Sequence, residues 1–356
     1  MGSSVRDEGT RAPASYADGM TAAGTTGSWA NRVLVALGGN AMSAPDGSAT
    51  EVDQIEALGR AATHIADLVA AGVQVAVTHG NGPQVGNLLV KNELTAQVVP
   101  PVSLDWCVAS TQATIGFVLA DALESEFAAR GIDRPVASLV TRTLVDGADP
   151  AFATPTKPVG RYLDKAAAQP FIDLGQHWRD FGDKGWRRVV ASPRPLRILD
   201  APVAATLVES GTVVICSGGG GIPVARTASA GDAPGRLTGV EAVIDKDHSA
   251  AILADLLDCD ALVIATDIDN AVLHYGTPQA RPLGLVGVAE MAGYLAEGHF
   301  AAGSMGPKVE AAHRFAAGQG RTGTAGRTSI ITRLDLLTQA LTSEPGSVGT
   351  VIRGGS

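Results

Sequence analysis

The sequence has few cysteines, no excess of positive charge and no long apolar run. Its 356 residues include three cysteines, Cys107, Cys216 and Cys259, which are too few and too scattered for a disulfide framework or a zinc cluster. A reduced environment suits such a chain, and we expect a cytoplasmic protein.

The charge balance and the apolar pattern exclude further classes of partner. With 27 Lys+Arg against 36 Asp+Glu the net charge is −9, which disfavours nucleic acid or an anionic membrane surface as the main partner. No stretch approaches the ~18 consecutive apolar residues of a membrane span. Residues 1–30 are rich in Gly, Ser, Thr and Ala without the apolar segment of a signal peptide, so we expect a disordered tail before a domain over 31–356.

Beyond this tail, β-branched runs alternate with amphipathic stretches. The predicted strands are Val33–Leu37, Val73–Val77, Val213–Cys216, Ala261–Ala265 and Ser329–Thr332, with Pro135–Val145 as a strand pair or a strand with an irregular end. The predicted helices are Gln54–Ala71, Gln112–Arg130, Ala201–Glu209, His248–Leu257 and Val309–Ala317. Strand, glycine-rich turn and helix in repetition predict an α/β fold with a mainly parallel sheet.

The 43 glycines are informative where they directly follow predicted strands, at Gly38-Gly39, Gly80/Gly82 and Gly218–Gly221. Ligands of open α/β sheets bind outside the carboxyl ends of strands, and glycine lets backbone N–H groups approach an anion. One such loop can reflect packing alone, but three together indicate a cradle for an anion or a nucleotide.

Residues 148–195 interrupt the alternation and are rich in Pro, Trp and charge. We expect an inserted subdomain or lid over the site; the alternative is a long surface excursion. Disorder is disfavoured by the aromatic residues.

Four familiar motifs are missing from the settings in which they act. No strand is followed by G-x-x-x-x-G-K-[ST], no G-x-G-x-x-G opens a helix, and neither H-E-x-x-H nor G-x-S-x-G occurs. A P-loop, an ordinary dinucleotide-binding domain, a zinc protease helix and an esterase nucleophile are therefore excluded. The histidines are isolated, and no residue is assigned as a metal ligand.

Three lysines lie in predicted turns: Lys157 between two prolines, Lys246 between two aspartates, and Lys308 after a Gly/Ser/Pro loop. A lone lysine is usually a solvated surface charge. That interpretation weakens here because the chain has few lysines and a lysine at a helix N-terminus is well placed to hold a phosphoryl group.

Several longer strings resemble carbamate kinases, within the amino-acid kinase superfamily, and they span nearly the whole chain after the tail. They are LGGN (37–40), THGNGPQVGNLL (78–89), PTKPVG (155–160), SPRP (192–195), SGGGGIPV (217–224), GVEAVIDKD (239–247) and GSMGPKVEAA (303–312). The resemblance implies a three-layer αβα sandwich with a small protruding subdomain, a homodimer, and ATP/ADP with Mg²⁺. It also implies reversible phosphoryl transfer between ATP and carbamate, giving ADP and carbamoyl phosphate.

The resemblance also implies roles for individual residues. Lys157, Lys246 and Lys308 match the lysines around the transferred group, and Asp247 matches the carboxylate that orients them. The implied substrate- and phosphate-binding positions are Gly38, Gly39, Asn40, Gly80, Asn81, Gly82, Gly218, Gly219 and Gly220. Asp267, Tyr275 and Met305 fall where such a kinase holds the nucleotide. Phosphoryl transfer needs positioning and charge neutralisation rather than a nucleophilic side chain, and carbamate is already an anion.

Two residues depart from the pattern, and they keep an alternative open. Trp106 stands where a small polar residue is expected, and Arg161 follows PTKPVG where a proline is commoner. A packing or dimer-interface role for Trp106 is favoured over substrate discrimination. The alternative functions are a related kinase of another small carboxylate, phosphonate or carbamoyl compound, and a non-catalytic nucleotide-binding protein, which the retained lysines disfavour. Residues 227–236 are expected to form a surface hairpin tip.

Overall fold

The computed structural model describes residues 28–42, 50–227, 235–301, 303–318 and 326–354, with the backbone alone for residues 40 and 41. Most of the tail predicted over residues 1–30 and most of the predicted hairpin tip lie outside the described residues. Both stay predictions.

Within these residues the strands are β1 (Arg32–Leu37), β2 (Gln74–His79), β3 (Val136–Ser138), β4 (Arg142–Val145), β5 (Lys157–Leu163), β6 (Trp178–Asp180), β7 (Trp186–Val190), β8 (Pro195–Ile198), β9 (Val213–Ile215), β10 (Ile222–Arg226), β11 (Leu237–Gly239), β12 (Ala261–Thr266), β13 (Val272–Leu273), β14 (Arg281–Pro282), β15 (Leu285–Gly287), β16 (Thr328–Arg333) and β17 (Thr350–Arg353). The α-helices are α1 (Glu51–Ala70), α2 (Gly82–Thr95), α3 (Leu104–Arg130), α4 (Lys165–Asp173), α5 (Ala201–Glu209), α6 (Lys246–Leu256), α7 (Val288–Ala296), α8 (Met305–Ala317) and α9 (Leu337–Thr342).

An eight-stranded sheet in the order β15-β17-β16-β12-β1-β2-β9-β3 forms the centre of the fold. All neighbouring pairs are parallel except β16 and β17. The strands are nearly continuous apolar runs, as expected for a sheet that is covered on both faces. This arrangement confirms the predicted mainly parallel sheet.

Alternate residues of β1 face two different helical layers. Val33, Val35 and Leu37 pack in a core with α1, α3 and α9, whereas Leu34 and Ala36 pack in a second core with α5, α6, α7 and α8. Successive strand residues point to opposite faces, so one strand contributes to both cores. The predicted three-layer αβα sandwich is confirmed.

Helix caps explain why two helices begin before their predicted starts. At α1, the Thr50 hydroxyl accepts from the Asp53 N–H (3.3 Å) and the Asp53 carboxylate accepts from the Thr50 N–H (3.1 Å). Asp245 caps α6, which begins at Lys246 and not at His248. Such caps bind the first N–H groups of a helix, which apolar periodicity does not reveal.

Two further helices also begin early, for a different reason. Helix α3 starts eight residues before the predicted Gln112, because Leu104 and Val108 pack against α2 and the β5 residue Val159 and not against the sheet. Helix α8 starts at Met305, and Pro307 is accommodated in its first turn, where a backbone N–H is not needed.

The stretch Pro135–Val145 separates into β3 and β4, which belong to different sheets. β3 is an edge of the central sheet, and β4 lies in a four-stranded sheet ordered β11-β10-β4-β8. The predicted pairing within this stretch is therefore wrong, since β3 pairs with β9 and β4 pairs with β8 and β10.

Residues 157–190 carry a sheet of their own. The antiparallel strands β5, β7 and β6 pair in that order, with α4 between β5 and β6 in the chain. Phe171 of α4 stacks on Trp178 at 5.7 Å between ring centroids, and Arg187 lies 4.8 Å from the Tyr162 ring centroid. The aromatic residues of this segment thus form a small packed unit.

Helix α3 is, among the described residues, the one helix long and apolar enough to cross a membrane by length and composition. Its residues Ile115, Leu119, Leu123 and Phe127 are buried against the central sheet. A core helix passes the same test, so this feature carries no argument for a membrane.

All three cysteines are buried. Burial raises the pKa of the Cys107 thiol, and it raises the pKa of the Cys216 thiol to about 12. The pKa of Cys259 is likewise raised by burial.

Candidate active site

A cavity of about 430 Å³ opens at the carboxyl ends of the central strands. The loops after β1, β2 and β12 line it, together with the first turns of α6 and α8. This is where an open α/β sheet binds ligands, since the strand ends leave backbone groups and helix N-termini facing one space.

Asp245 fixes the first turn of α6 beside this cavity. One of its carboxylate oxygens accepts from the N–H groups of Asp247 (3.0 Å) and His248 (3.5 Å). The capped turn places Lys246 and Asp247 in adjacent positions that both line the cavity.

Asp247 holds two lysines from different helices. The Lys246 ammonium donates to one of its oxygens at 2.6 Å, and the Lys308 ammonium donates to the other at 3.0 Å. Asp247 is 4% exposed. Burial opposes its ionisation, but the charges of Lys246 and Lys308 outweigh burial and hold the pKa of the Asp247 carboxyl far below its ordinary value.

The pKa of Lys246 is also lowered, but here burial is the main cause and not the neighbouring charge. Burial disfavours its charged form and lowers its pKa, and the nearby Lys308 adds to this effect, while Asp247 partly offsets both. Lys246 and Lys308 therefore present two closely spaced cations that one carboxylate orients.

Lys157 reaches the same cavity from β5. Its ammonium donates to the second oxygen of Asp245 at 2.8 Å. Three of the six lysines in the chain thus line a single cavity.

Two glycine loops interlock behind the lysines. A Cβ added at Gly218 would lie 2.4 Å from the His79 ring, and one at Gly219 would lie 2.1 Å from the Asn81 amide nitrogen. The loop after β9 therefore needs glycine for close packing against the loop after β2. Ser217, which has φ 56°, is held by its hydroxyl contact with Ser249 at 3.1 Å.

Comparison with known proteins agrees with this geometry. The amino acid kinase family profile matches residues 31–323. Carbamate kinase of Thermococcus kodakarensis is 43% identical over 321 residues, covering 89% of this chain and 98% of the relative. Carbamate kinase 2 of Enterococcus faecalis is 44% identical over 318 residues, covering 88% and 97%. The structure of carbamate kinase from Giardia lamblia bound to AMP-PNP superposes with a TM-score of 0.82 at 38% identity, covering 93% of this chain and all of that one.

The chain belongs to the amino acid kinase family. The three relatives named above are carbamate kinases, which confirms the resemblance recognised in the sequence.

The structure brings most of the predicted site residues of this amino acid kinase to one cavity. Its lining includes Gly38, Gly39, Gly80, Asn81, Gly82, Lys157, Gly219, Lys246, Asp247, Asp267 and Lys308. Their elements are far apart in the chain, and the parallel sheet brings its strand ends to a common edge.

Other predicted residues lie outside the cavity lining. Gly218 and Gly220 are buried behind Gly219, Tyr275 is 81% exposed, and Met305 packs against the core formed by α5–α8. Asn40 lies in the short helical turn after β1, and its side chain is outside the described residues.

Sequence reasoning missed two groups that support the site of this amino acid kinase. Asp245 could have been recognised as an N-cap, because aspartate is a preferred cap and Asp245 lies shortly before the predicted helix start at His248. His79 looked isolated, but its ring is buried and contacts the Gly80 carbonyl at 2.7 Å. Burial is the main cause that lowers the pKa of His79 to about 4, so the ring is neutral at pH 7.

Proposed function

We propose that this amino acid kinase transfers a phosphoryl group reversibly between ATP and carbamate, giving ADP and carbamoyl phosphate. The observation that carries the proposal is the convergence of Lys157, Lys246 and Lys308 on one cavity, with the buried Asp247 and the partly buried Asp245 orienting them. The similarity to carbamate kinases over about nine tenths of the chain supports the same acceptor.

The site residues act by positioning and by neutralising charge. Lys246 and Lys308 approach from the first turns of two helices, whose N–H groups favour an anion at the same place. Lys157 approaches from β5, so a phosphoryl group between them would meet cations from separate parts of the chain. Such preorganised charges stabilise the transferred group, and carbamate needs no general base to attack it.

The glycine loops and Asp267 complete the proposed roles. Gly82, the first residue of α2, offers its backbone N–H beside the lysines, with Asn81 next to it. The N–H groups of Gly38 and Gly80 donate to the carbonyls of Ala265 (2.9 Å) and Leu37 (3.1 Å), so these glycines and Gly39 act by leaving room for a close approach of the substrate. Asp267 lines the cavity after β12, which lies on the other side of β1 from β2, and we place the nucleotide there. Gly218 and Gly220 act by packing, and Tyr275 and Met305 by contact at the outer edge of the nucleotide.

Mg²⁺ suits the donor set of the cavity. This ion usually keeps several waters and takes one or two carboxylates together with substrate phosphates. Asp267 lines the cavity after β12 and accepts from the Thr266 hydroxyl at 3.1 Å, and we assign it to the ion, with Ser304 nearby in the lining. When bound, Mg²⁺ neutralises phosphate charge.

We propose that residues 148–195 act as an inserted lid on a kinase domain over residues 31–356. The separate sheet of β5, β6 and β7 supports this division, and Lys157 is the lid residue that enters the cavity. Among the described residues, ion pairs Arg161–Glu93 (3.2 Å) and Arg188–Glu241 (3.6 Å) also connect the lid to the rest of the domain.

The two residues that depart from the family pattern, Trp106 and Arg161, differ in whether they lie next to the proposed acceptor site. Trp106 is 66% exposed on α3 and does not line the cavity. Arg161 lines an adjacent cavity of about 580 Å³ that shares Lys157 and Asn81 with the site. Another small acid is therefore included in the test below, although no contact of Arg161 favours it over carbamate.

The decisive experiment is a coupled assay of ATP formation from ADP and carbamoyl phosphate with Mg²⁺, with acetyl phosphate as the matched acyl phosphate. We expect turnover with carbamoyl phosphate and little with acetyl phosphate. Turnover with another acyl phosphate alone would favour the related-kinase alternative. Nucleotide binding without turnover of any acyl phosphate would favour a non-catalytic protein.

We also propose a homodimer, formed through α3 and the neighbouring edge strand β3. β3 is the last strand of the central sheet and is hydrogen-bonded to β9 on one side only. On the adjacent helix α3, Phe117 is 56% exposed. A groove of about 1040 Å³ between α1, α2 and α3 contains Phe117 and the half-exposed Ile55. An apolar groove beside an open sheet edge fits a second copy of the chain.

A further inference from the structure

The carboxylate of Asp245 connects two parts of the site that are distant in the sequence. Its Oδ2 accepts from Lys157 Nζ at 2.8 Å, whereas its Oδ1 accepts from the backbone N–H of Asp247 at 3.0 Å. Lys157 belongs to β5 of the lid, and Asp247 belongs to α6 of the main domain. One side chain therefore sets the position of the lid lysine relative to the helix that carries Lys246 and Asp247.

The surroundings of this ion pair make it a strong restraint. The side chain of Asp245 is 16% exposed and that of Lys157 is 37% exposed, so water competes less for the pair than at an open surface. Burial opposes ionisation of Asp245, but the charge of Lys157 and its hydrogen bond outweigh burial, and the pKa of Asp245 is lowered overall. Asp245 is also held in place by its capping bonds, so it offers Lys157 a fixed partner.

The other contacts across this boundary bring no second charged pair to the cavity: the Val243 N–H, beside the cavity, donates to the Ala191 carbonyl at 3.0 Å. Glycines meet where β5 crosses α2, since a Cβ at Gly86 would lie 3.5 Å from the Gly160 Cα. Arg161 pairs with Glu93 at 3.2 Å, and neither residue lines the cavity. Among the described residues, Asp245 is the acid that pairs with Lys157 within 4.0 Å.

We propose that Asp245 is the positioning residue for Lys157: it holds the lysine at the cavity before substrate binds and yields it to the phosphoryl group afterwards. The proposal rests on the function proposed above. A long, flexible lysine loses much side-chain freedom when it is fixed. Asp245 removes that freedom in advance, so the bound substrate meets a lysine that is already in place.

Asp245→Asn separates this role from helix capping. Asparagine caps a helix about as well as aspartate does, but it does not hold a lysine by charge. We expect kcat for ATP formation to fall by about 10-fold to 100-fold, the scale of a misplaced positioning group, with KM for ADP changed by less than about 2-fold. Asp245→Ala, which loses both functions, should in addition lower the melting temperature.

A double-mutant cycle with Lys157→Ala tests whether Asp245 acts through that lysine. In the Lys157→Ala background we expect Asp245→Asn to change kcat by less than about 2-fold, because the residue to be positioned is gone. Multiplicative effects of the two substitutions would overturn the proposal, and so would a rise in kcat in Asp245→Asn alone.

Hydrogen exchange of the ligand-free protein gives a measurement that does not depend on activity. We expect faster exchange at the amides of β5 in Asp245→Asn than in the unsubstituted protein, with α6 unchanged. If the unsubstituted protein fails to turn over carbamoyl phosphate but β5 exchange rises, the proposed function fails and the restraint stands. If the unsubstituted protein turns over carbamoyl phosphate but β5 exchange in Asp245→Asn is unchanged, the positioning role fails and the proposed function stands.

Discussion

Asp247 determines how positive charge is distributed at the site. A single buried carboxylate accepts from Lys246 and Lys308, so the cluster retains a net positive charge while each lysine has a partner. The chain as a whole carries −9. The cations that an anionic substrate needs are therefore local, and the net charge of the molecule does not describe the site.

Lys246→Ala should lower turnover by about 10²-fold or more, the scale of losing one preorganised electrostatic group. The exposed lysine Lys184 on the lid is the matched control, and Lys184→Ala should leave turnover within about 2-fold. The measurement is kcat for ATP formation from carbamoyl phosphate. Normal turnover in Lys246→Ala would remove this residue from the mechanism.

His79 should make stability depend on pH. Its pKa is lowered from 6.5 to about 4 in the folded protein, so the unfolded chain binds more protons between these values. The free energy of unfolding therefore falls as pH falls through this window, by about 2 kcal/mol between pH 7 and pH 5 from this group alone. Urea denaturation at both pH values measures the change.

His79→Asn is the corresponding control, because it removes the titrating ring. The difference in unfolding free energy between pH 7 and pH 5 should then shrink by about the same 2 kcal/mol. An unchanged difference would contradict a neutral, buried His79.

At the residue scale, the sequence allowed the lysines and Asp247 to be placed together, because unusual strings surround them. Asp245 and His79 were missed as parts of the site for a physical reason. Their importance depends on which residues pack against them after folding: Lys157 meets Asp245, and Gly218 meets the His79 ring, from distant parts of the chain.

At the scale of elements, the loop from Gly218 to Gly221 forms only with glycine at particular positions. Gly220 has φ +87°, and a Cβ there would lie 2.9 Å from the Ile244 carbonyl oxygen. The loop therefore could not accept a larger residue without moving away from the site.

Gly220→Ala should lower the free energy of unfolding by about 2 kcal/mol or more, because it adds backbone strain and a close contact. Gly59→Ala is the matched control: Gly59 lies inside α1, and an added Cβ would meet nothing within 4 Å. That substitution should stabilise the protein by about 0.5–1 kcal/mol. Equal effects in denaturation experiments would refute the argument for the loop.

The centres of the elements could be predicted, whereas several of their ends could not. Buried strands such as β1 and β12 are apolar throughout, so they stand out in the sequence. The starts of α1 and α6 are set by Thr50 and Asp245, and the start of α3 by packing against α2 and β5. Caps and contacts between distant segments leave no periodic signal.

At the scale of the whole molecule, the order of strands in the central sheet explains why one cavity collects residues from all parts of the chain. β1, β2 and β12 are neighbours, although residue 37 and residue 266 are far apart in sequence. Alternation of strands and helices predicts a parallel sheet, but it does not predict this order or the separate sheet of the lid.

The proposed homodimer should dissociate when charge is placed on α3. Phe117→Glu puts a carboxylate in the apolar groove, and burying an unpaired charge costs far more than the contact gains. Val203→Glu is the control, since Val203 is 58% exposed on α5 in the opposite helical layer. Sedimentation velocity should give a monomer for the first variant and a dimer for the second; identical sedimentation of both would exclude this surface.

The three buried cysteines make the protein a natural background for optical labelling. Thiols that are shielded and that ionise only at high pH react slowly with maleimide dyes. A single substitution such as Lys184→Cys would therefore carry a fluorophore at the lid and nowhere else. The position of the proposed lid with and without substrate could then be compared in single molecules, without first removing any native residue.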